Sequence, residues 1–535
     1  MIIEFYQFVG LVFCTLFPLF WVFFIHEEDH GPLGRSEIPG ELGLYFFGEA
    51  YEFFQDPLDF AFSRFARYGN IFKTKLLGYG VVFVGGNKGL ELFTSGPEKG
   101  LGASPECFLF DLPAHNFNAN NHKRSVMMSE NDFQHGFKHL AVLASITSLC
   151  NREMFFNDCK EVIMKFMSAR SSLNSAISGA QLCKDIFFDI SVTVLMKDTV
   201  QKDQLKDLYC RWLGMQSTFP MSPLGLNCPW ESGINATTEL DDLIANEVKS
   251  RLSSNRDFGN DLIGCMLHTA MRRTDGFGKT LENIIDKTVM AECWTVIYSL
   301  NVQVAGACCW LLVCFERFKN IKEAALTEVR NCADCLKYDT IRGQGSLPYL
   351  EAIIEESMRM YGFLGSPQLR RIALFDIPFE NYTIPKGTPV ILPLNSHNFL
   401  EDHFADPYVF KPERFLEGGS FFSKEEKSAV ESDRKTSFSF GIGHHTCPGD
   451  LLARMLLKLV AVSLLEQFDT SSEITQSFKP VYPRGKKEKM WGWGCNQGEN
   501  VVAAEEKFFF PVPEDMLKYE SFTARRSSCS TKQQE

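Results

Sequence analysis

The 535-residue chain has no run of lysine or arginine, no internal repeat and no long low-complexity linker. Each absence excludes something. A nucleic-acid binder needs a basic stripe to displace counterions from phosphate, and the net charge of -12 opposes one. No nucleic-acid partner is expected. Without a repeat period the chain is not a solenoid or propeller. Without a linker, one large domain fits better than two, although the length exceeds the usual size of a single core. The 17 cysteines are odd in number and irregular in spacing, which is not the disulfide framework of a secreted domain. A reducing, cytosolic setting follows. Cys332 and Cys335 form a CxxC with no second Cys or His pair at zinc-ligand distance, so they are read as free thiols.

Apolar residues make up 45% and charged residues 22%, as in ordinary globular proteins, but 49 Phe is a heavy aromatic loading that suits an apolar cavity. Phe5 to Ile25 is a stretch of 21 uncharged residues, the length of a helix that crosses a bilayer. Glu4 precedes it and His26-Glu27-Glu28-Asp29-His30 follows, with neither a basic start nor a small-residue cleavage site. An uncleaved anchor over 1–25 is expected rather than a signal peptide. Gly31, Pro32, Gly34, Pro39 and Gly40 predict a turn-rich hinge over 26–40. The catalytic body is placed at 41–520. Ile71 to Leu77 and Val81 to Gly85 predict short strands, whereas Asp132 to Leu465 is mostly helical in pattern. The polar, Ser/Thr-rich end, 521–535, is expected to be a flexible tail. The fold class is mainly α with small β-sheets, preceded by one N-terminal transmembrane helix.

Positions 438–449 are FSFGIGHHTCPG, so Phe440, Gly441, Gly443, Cys447 and Gly449 give FGxGxxxCxG. A thiolate bound to iron needs a sheltered loop, backbone donors aimed at sulfur, and a helix N-terminus behind it. Gly441 and Gly443 permit a tight turn under a flat macrocycle, Phe440 can shield the sulfur, and an apolar-periodic helix over Asp450 to Gln467 starts just after Cys447. A structural cysteine in a glycine turn is the plainer alternative. A dinucleotide fingerprint is not, because the third glycine and the preceding strand are not in the required places.

On these residues the chain resembles the cytochrome P450 superfamily, and three further signatures stand in the family's order. Glu356 and Arg359 match ExxR within SLPYLEAIIEESMRMYG, three apart on one helix face. Pro412-Glu413-Arg414-Phe415 resembles PERF, whose Arg414 the likeness joins to Glu356 and Arg359 in a buried network. RIALFDIPFENYTIPKGTPVILPLNSH aligns Arg371 with a donor to a haem propionate, and His445 aligns with another. The family's WxxxR positions fall on His135 and His139, with Lys138 as an alternative to them. DPLDFAFSRFARYGNIFKTKLLG, FPMSPLGLNCPW and CPGDLLARMLLKLVAVSLLEQF are similar to the clan of retinoic acid hydroxylases, brassinosteroid oxidases and sterol demethylases.

The resemblance implies haem b (iron protoporphyrin IX) held by Cys447, an apolar sterol- or isoprenoid-like substrate, and electrons from NADPH through a flavoprotein reductase. That partner would dock on the Cys447 side, where Arg434, Lys435 and Lys458 offer positive charge. The expected location is the endoplasmic reticulum membrane, single-pass, with the catalytic domain in the cytosol.

The central helix departs from the family. Its usual acid and alcohol, which relay protons during oxygen activation, are missing. One register aligns Ser299 to Gln303 with the motif and puts Val302 and Gln303 in those positions; another uses Ala305-Gly306 and ends on Cys308 and Cys309. Asn301 and Gln303 can each hold a proton-shuttling water, or be polar groups satisfied within a buried helix. Three functions follow: an oxygen-dependent monooxygenase, a peroxide isomerase or dehydratase needing no external electrons, and a haem-binding sensor without turnover.

Overall fold

The computed structural model describes residues 31–473 and 518–524, except 44–47, 96–98, 103–131, 172–176, 197–201, 217–228, 254–257, 275–288, 290–291, 362–368, 418–437, 444–445 and positions 56 and 77. The expected anchor, Phe5 to Ile25, lies outside them. Instead of one body, the described residues form two compact units, one from positions up to 110 with 368–397, the other from 132 to 367 with 398–473 and 518–524. Each is discontinuous in sequence, so no linker marks the division.

The described strands are β1 (Ile71–Leu76), β2 (Tyr79–Val84), β3 (Leu101–Gly102), β4 (Ile177–Ser178), β5 (Leu369–Ala373), β6 (Ile377–Phe379), β7 (Tyr382–Ile384), β8 (Pro389–Leu392), β9 (Phe468–Glu473) and β10 (Lys518–Ala524). The first unit is built on a sheet of order β1-β2-β8-β5-β3, with β6 and β7 as a separate hairpin. β1 is buried at all six positions, so both of its faces are covered. Phe72 and Phe83 are direct cross-strand partners and stack at 4.8 Å. Phe53 and Phe60 join them from the helices Ala50–Gln55 and Pro57–Tyr68, edge to face at 5.5 Å. Such aromatic pairs add to what their burial alone contributes.

The segment expected as a hinge is folded from Gly31 onward. Gly31–Gly34 is a helical turn, Leu33 and Ile38 are buried, and the Lys73 ammonium donates to the carbonyls of Leu33, Gly34 and Ser36 at 3.2, 3.3 and 2.8 Å. Gly40 has φ +132°, and a Cβ there would stand 2.0 Å from the Lys73 carbonyl oxygen. The glycines and prolines of 31–40 thus serve close packing on β1 rather than free bending.

The second unit surrounds the helix Glu292–Arg317, which is long and apolar enough to cross a membrane but is 78% buried over its most apolar stretch by the protein itself. It packs against the helices Gly179–Met196 and Pro348–Tyr361. From Leu300 to Glu316 every residue except Gln303 is buried. β9 and β10 pair antiparallel, and β10 also pairs with β4. Ser521–Ala524, the first residues of the expected tail, therefore lie in a strand, because their backbone groups are satisfied by Phe468–Ser471.

Lys73→Met removes the ammonium from the Gly34 and Ser36 carbonyls, while Leu33 keeps its Ser36 donors, and a loss of about 1–3 kcal/mol is expected. Denaturant midpoints of the two proteins measure it.

Candidate functional site

Glu356 and Arg359 stand one turn apart on the helix Pro348–Tyr361 and are both fully buried. Arg359 meets the carboxylate with two parallel bonds, Nε to Oε2 at 2.7 Å and Nη2 to Oε1 at 2.8 Å, and its Nη1 donates to the Asn398 carbonyl at 2.7 Å. The 3₁₀ turn Pro412–Phe415 brings Arg414, whose Nε donates to Glu356 Oε1 at 3.2 Å. The remaining Arg414 donors reach the carbonyls of Ala405, Asp406 and Val409. The Lys411 amide also donates to Glu356, at 2.8 Å. Burial pulls the Arg414 pKa below its ordinary value, and Glu356 opposes that pull. The network stands because nearly every donor and acceptor has a partner.

Asn398 continues it toward the cysteine loop. Its side-chain oxygen accepts the Phe438 amide at 3.2 Å, while its backbone oxygen holds Arg359. No sequence signal marked Asn398; a lone Asn between two motifs carries no period or spacing. Phe438–Phe440 forms a 3₁₀ turn, Gly441 and Gly443 take φ of +83° and +63°, and the Cys447 amide donates to the Phe440 carbonyl at 2.7 Å. Thr446 Oγ1 closes the loop on the Gly443 carbonyl at 2.6 Å. The helix Asp450–Gln467 starts immediately afterwards, so its N-terminal amides lie next to the sulfur.

The Cys447 side chain keeps exposed area, yet the protein crowded around it desolvates the thiol and pushes its pKa up to about 11. A backbone bond at Gly449 works the other way and favours the thiolate. A Cβ at Gly449 would meet only the sulfur, at 3.6 Å, so Gly449 matters for that bond more than for space.

Two charged bridges tie the cysteine helix to the Glu356 helix. Arg454 pairs with Asp450 and with Glu355, and Lys458 pairs with Glu351 while donating to the Thr340 and Gly343 carbonyls at 2.8 Å. Arg454 lies 4.7 Å over the Phe440 ring, and burial lowers its pKa to about 10. Lys458, expected to face a reductase, is 4% exposed and committed to this bridge. Arg434 and Lys435 lie outside the described residues. The Asp450–Arg454 spacing of four was legible in the sequence; the partner Glu355 was not.

In the central helix, Ser299–Val304 is a π turn. Asn301, expected as a catalytic group, is buried, and its Nδ2 donates to Ser191 Oγ at 3.1 Å and to the Ile297 carbonyl at 2.9 Å. The neighbouring helix thus offers its Nδ2 a hydroxyl. Gln303 is exposed. In the alternative register, Ala307, Cys308 and Cys309 are buried, and both free thiols hydrogen-bond Cys183 of the Gly179–Met196 helix.

Arg371 lies on β5 of the first unit, 8% exposed, with Nη1 donating to the Arg370 carbonyl at 2.6 Å. His135 and His139 lie on the helix Asp132–Cys150, but their side chains are outside the described residues, as is all of His445.

The donor set fits an iron porphyrin. Cys447 would be the residue to hold the iron of such a group, through a sulfur that the Gly449 backbone bond favours as thiolate. Gly441 and Gly443 keep side chains out of the tightest part of its loop.

Glu356→Gln strands two buried guanidinium groups beside a neutral amide. A cost of about 3–5 kcal/mol is expected, read as loss of haem retention in the ratio of Soret to protein absorbance.

The family model for cytochrome P450 matches residues 38–488. Abscisic acid 8'-hydroxylase 3 of Oryza sativa subsp. japonica is 24% identical over 503 residues, spanning 89% of this chain and 92% of its own. Cytochrome P450 26B1 of Danio rerio is 23% identical over 487 residues, 87% and 89% of the two chains. The solved structure of retinoic acid bound cyanobacterial CYP120A1 superposes with a TM-score of 0.65 at 19% identity, covering 82% of this chain and 94% of that one. The cytochrome P450DA haem domain gives 0.64 at 16% identity, covering 83% and 93%. With the model spanning most of its length, the chain belongs to the cytochrome P450 family of oxidoreductases.

Proposed function

We propose that the chain is a haem-thiolate monooxygenase that hydroxylates an apolar isoprenoid- or sterol-like lipid, using dioxygen and electrons passed from NADPH by a flavoprotein reductase. The observation that carries this is the accessible Cys447 sulfur on a loop braced through Asn398 to the Glu356–Arg359–Arg414 network. Haem, held by Cys447, would supply the oxygen chemistry. The residues of this chain do the rest. Cys447 loses its thiol proton on binding iron, and the Gly449 bond helps hold the charge. Gln303, exposed in the middle of a buried helix, holds a water and passes protons through it, since an amide does not itself ionise. Relatives named as abscisic acid 8'-hydroxylase, and a structure with retinoic acid bound, support an isoprenoid-like substrate. Arg371, His445, His135 and His139 are proposed as cofactor-binding residues, Arg371 and His445 as propionate donors. The anchor 1–25 holds the body on the cytosolic face of the endoplasmic reticulum.

A second reading has its own support. Val302 and Gln303 stand where the acid and alcohol belong, and neither is acidic. A peroxide isomerase or dehydratase needs no proton relay of that kind.

The reduced, carbon-monoxide-bound protein should show the red-shifted Soret band of a thiolate ligand, and Cys447→Ser should abolish it; a normal band in the variant refutes the ligand assignment. Product should then form only with NADPH and reductase. Turnover of a fatty-acid hydroperoxide without reductant would instead establish the second reading.

Asn235 and Asn381 each begin an Asn-x-Thr sequon and both are exposed, Asn381 in the β6–β7 turn. A cytosolic body leaves both bare, so endoglycosidase should not shift the protein on a gel.

A further inference from the structure

One guanidinium touches both ends of the segment that carries the sulfur. Arg454 lies 4.7 Å over the Phe440 ring, seven residues before Cys447, and pairs with Asp450, three residues after it. Both ends are joined to the cysteine itself. The Phe440 carbonyl accepts the Cys447 amide at 2.7 Å, and the Asp450 amide donates to the Cys447 carbonyl at 3.4 Å. The third contact of Arg454 is Glu355 on the helix Pro348–Tyr361, so the clamp is anchored outside the loop.

The electrostatics of this clamp are unbalanced. Asp450 is the acidic residue in the first turn of the helix behind Cys447, and its carboxylate acts on the sulfur as a like charge. A negative group beside an anionic ligand calls for a cation close by. Arg454, one turn further along, is that cation. In the two bridges between these helices, Arg454 and Lys458 face three carboxylates, Asp450, Glu355 and Glu351. One negative charge is left over, and without Arg454 two would be.

The Arg454 side chain is 19% exposed, and its Nη2 has no acceptor among the described residues. Its charge therefore acts largely through protein, where a charge reaches further than through water. Reducing an iron beside an anionic ligand is harder when uncompensated carboxylates surround it, and easier when a cation faces them.

We propose that Arg454 is a positioning residue that clamps the cysteine loop at Phe440 and Asp450 and, by offsetting the Asp450 charge, sets the reduction potential of the iron that Cys447 holds. The inference rests on the haem-thiolate reading and adds the residue that governs how readily the bound iron takes up its first electron.

The test poises the substrate-free holoenzyme with dithionite and mediator dyes and reads the ferric and ferrous Soret bands, without turnover. At the potential where the parent protein is half reduced, Arg454→Met should lower the ferrous-to-ferric ratio about tenfold, a downward shift of about 59 mV for one electron. Asp450→Asn should raise the ratio, and combining the two substitutions should bring it back toward the parent. Arg454→Lys keeps the charge and loses the planar fork, so its ratio should stay near the parent's. An unchanged or raised ratio in Arg454→Met, or a fall that Asp450→Asn does not reverse, overturns the proposal. Equal falls in Arg454→Lys and Arg454→Met reduce the residue to a brace and overturn it as well. Where Arg454→Met does not retain haem, Asp450→Asn alone decides, and a ratio at or below the parent's overturns the proposal. Absence of the red-shifted carbon-monoxide band in the parent protein is the separate failure of the haem-thiolate reading.

Discussion

The second unit depends on one carboxylate. Glu356 accepts from Arg359, Arg414 and the Lys411 amide at zero exposure, and through Arg359 and Asn398 its influence reaches the amide of Phe438 at the start of the cysteine loop. A buried ion pair of this kind contributes little net stability compared with apolar side chains of the same volume. What it contributes is position. The guanidinium forks accept few geometries, so the 3₁₀ turn of Arg414, the backbone at Asn398 and the helix of Glu356 are held in one arrangement, and the sulfur of Cys447 inherits it.

The central helix shows the opposite strategy. Its core side is apolar and thiol-rich, and its departure from regular geometry is confined to the π turn at Ser299–Val304. A π turn costs stability unless something outside compensates for it, and such turns gather at functional sites. Here the Asn301 amide and the Ser191 hydroxyl compensate for it. Asn301 thus braces the backbone through its Nδ2, while Gln303, two positions on, is exposed.

Much of this was legible in the sequence because spacing encodes it. Glu356 and Arg359 at three residues, the Phe440-to-Gly449 pattern, the mostly helical composition and the helix behind Cys447 follow from period and motif. The joining of Arg414 to Glu356 came from likeness to a family, and the geometry agrees. What spacing does not encode is where a side chain finds its partner. Asn301 offered a water-binding amide and a buried structural amide equally, and only Ser191, 110 positions away, decides between them. The glycines and prolines of 31–40 have the composition of a hinge, and only the ammonium of Lys73 shows them as a packed edge. Lys458 has the composition of a docking surface, but Glu351 and two carbonyls occupy it.

The bridges from Arg454 to Glu355 and from Lys458 to Glu351 join helices whose members lie 99 and 107 residues apart. A ribosome delivers the chain from its N-terminus, at several residues each second. For the time that those intervening residues take to emerge, Glu355 and Glu351 lack the Arg454 and Lys458 cations that they meet in the folded chain. Neutralising them therefore waits for the same late segment that carries Cys447. A chain that ends before Cys447 therefore lacks the cations of both bridges together with the sulfur.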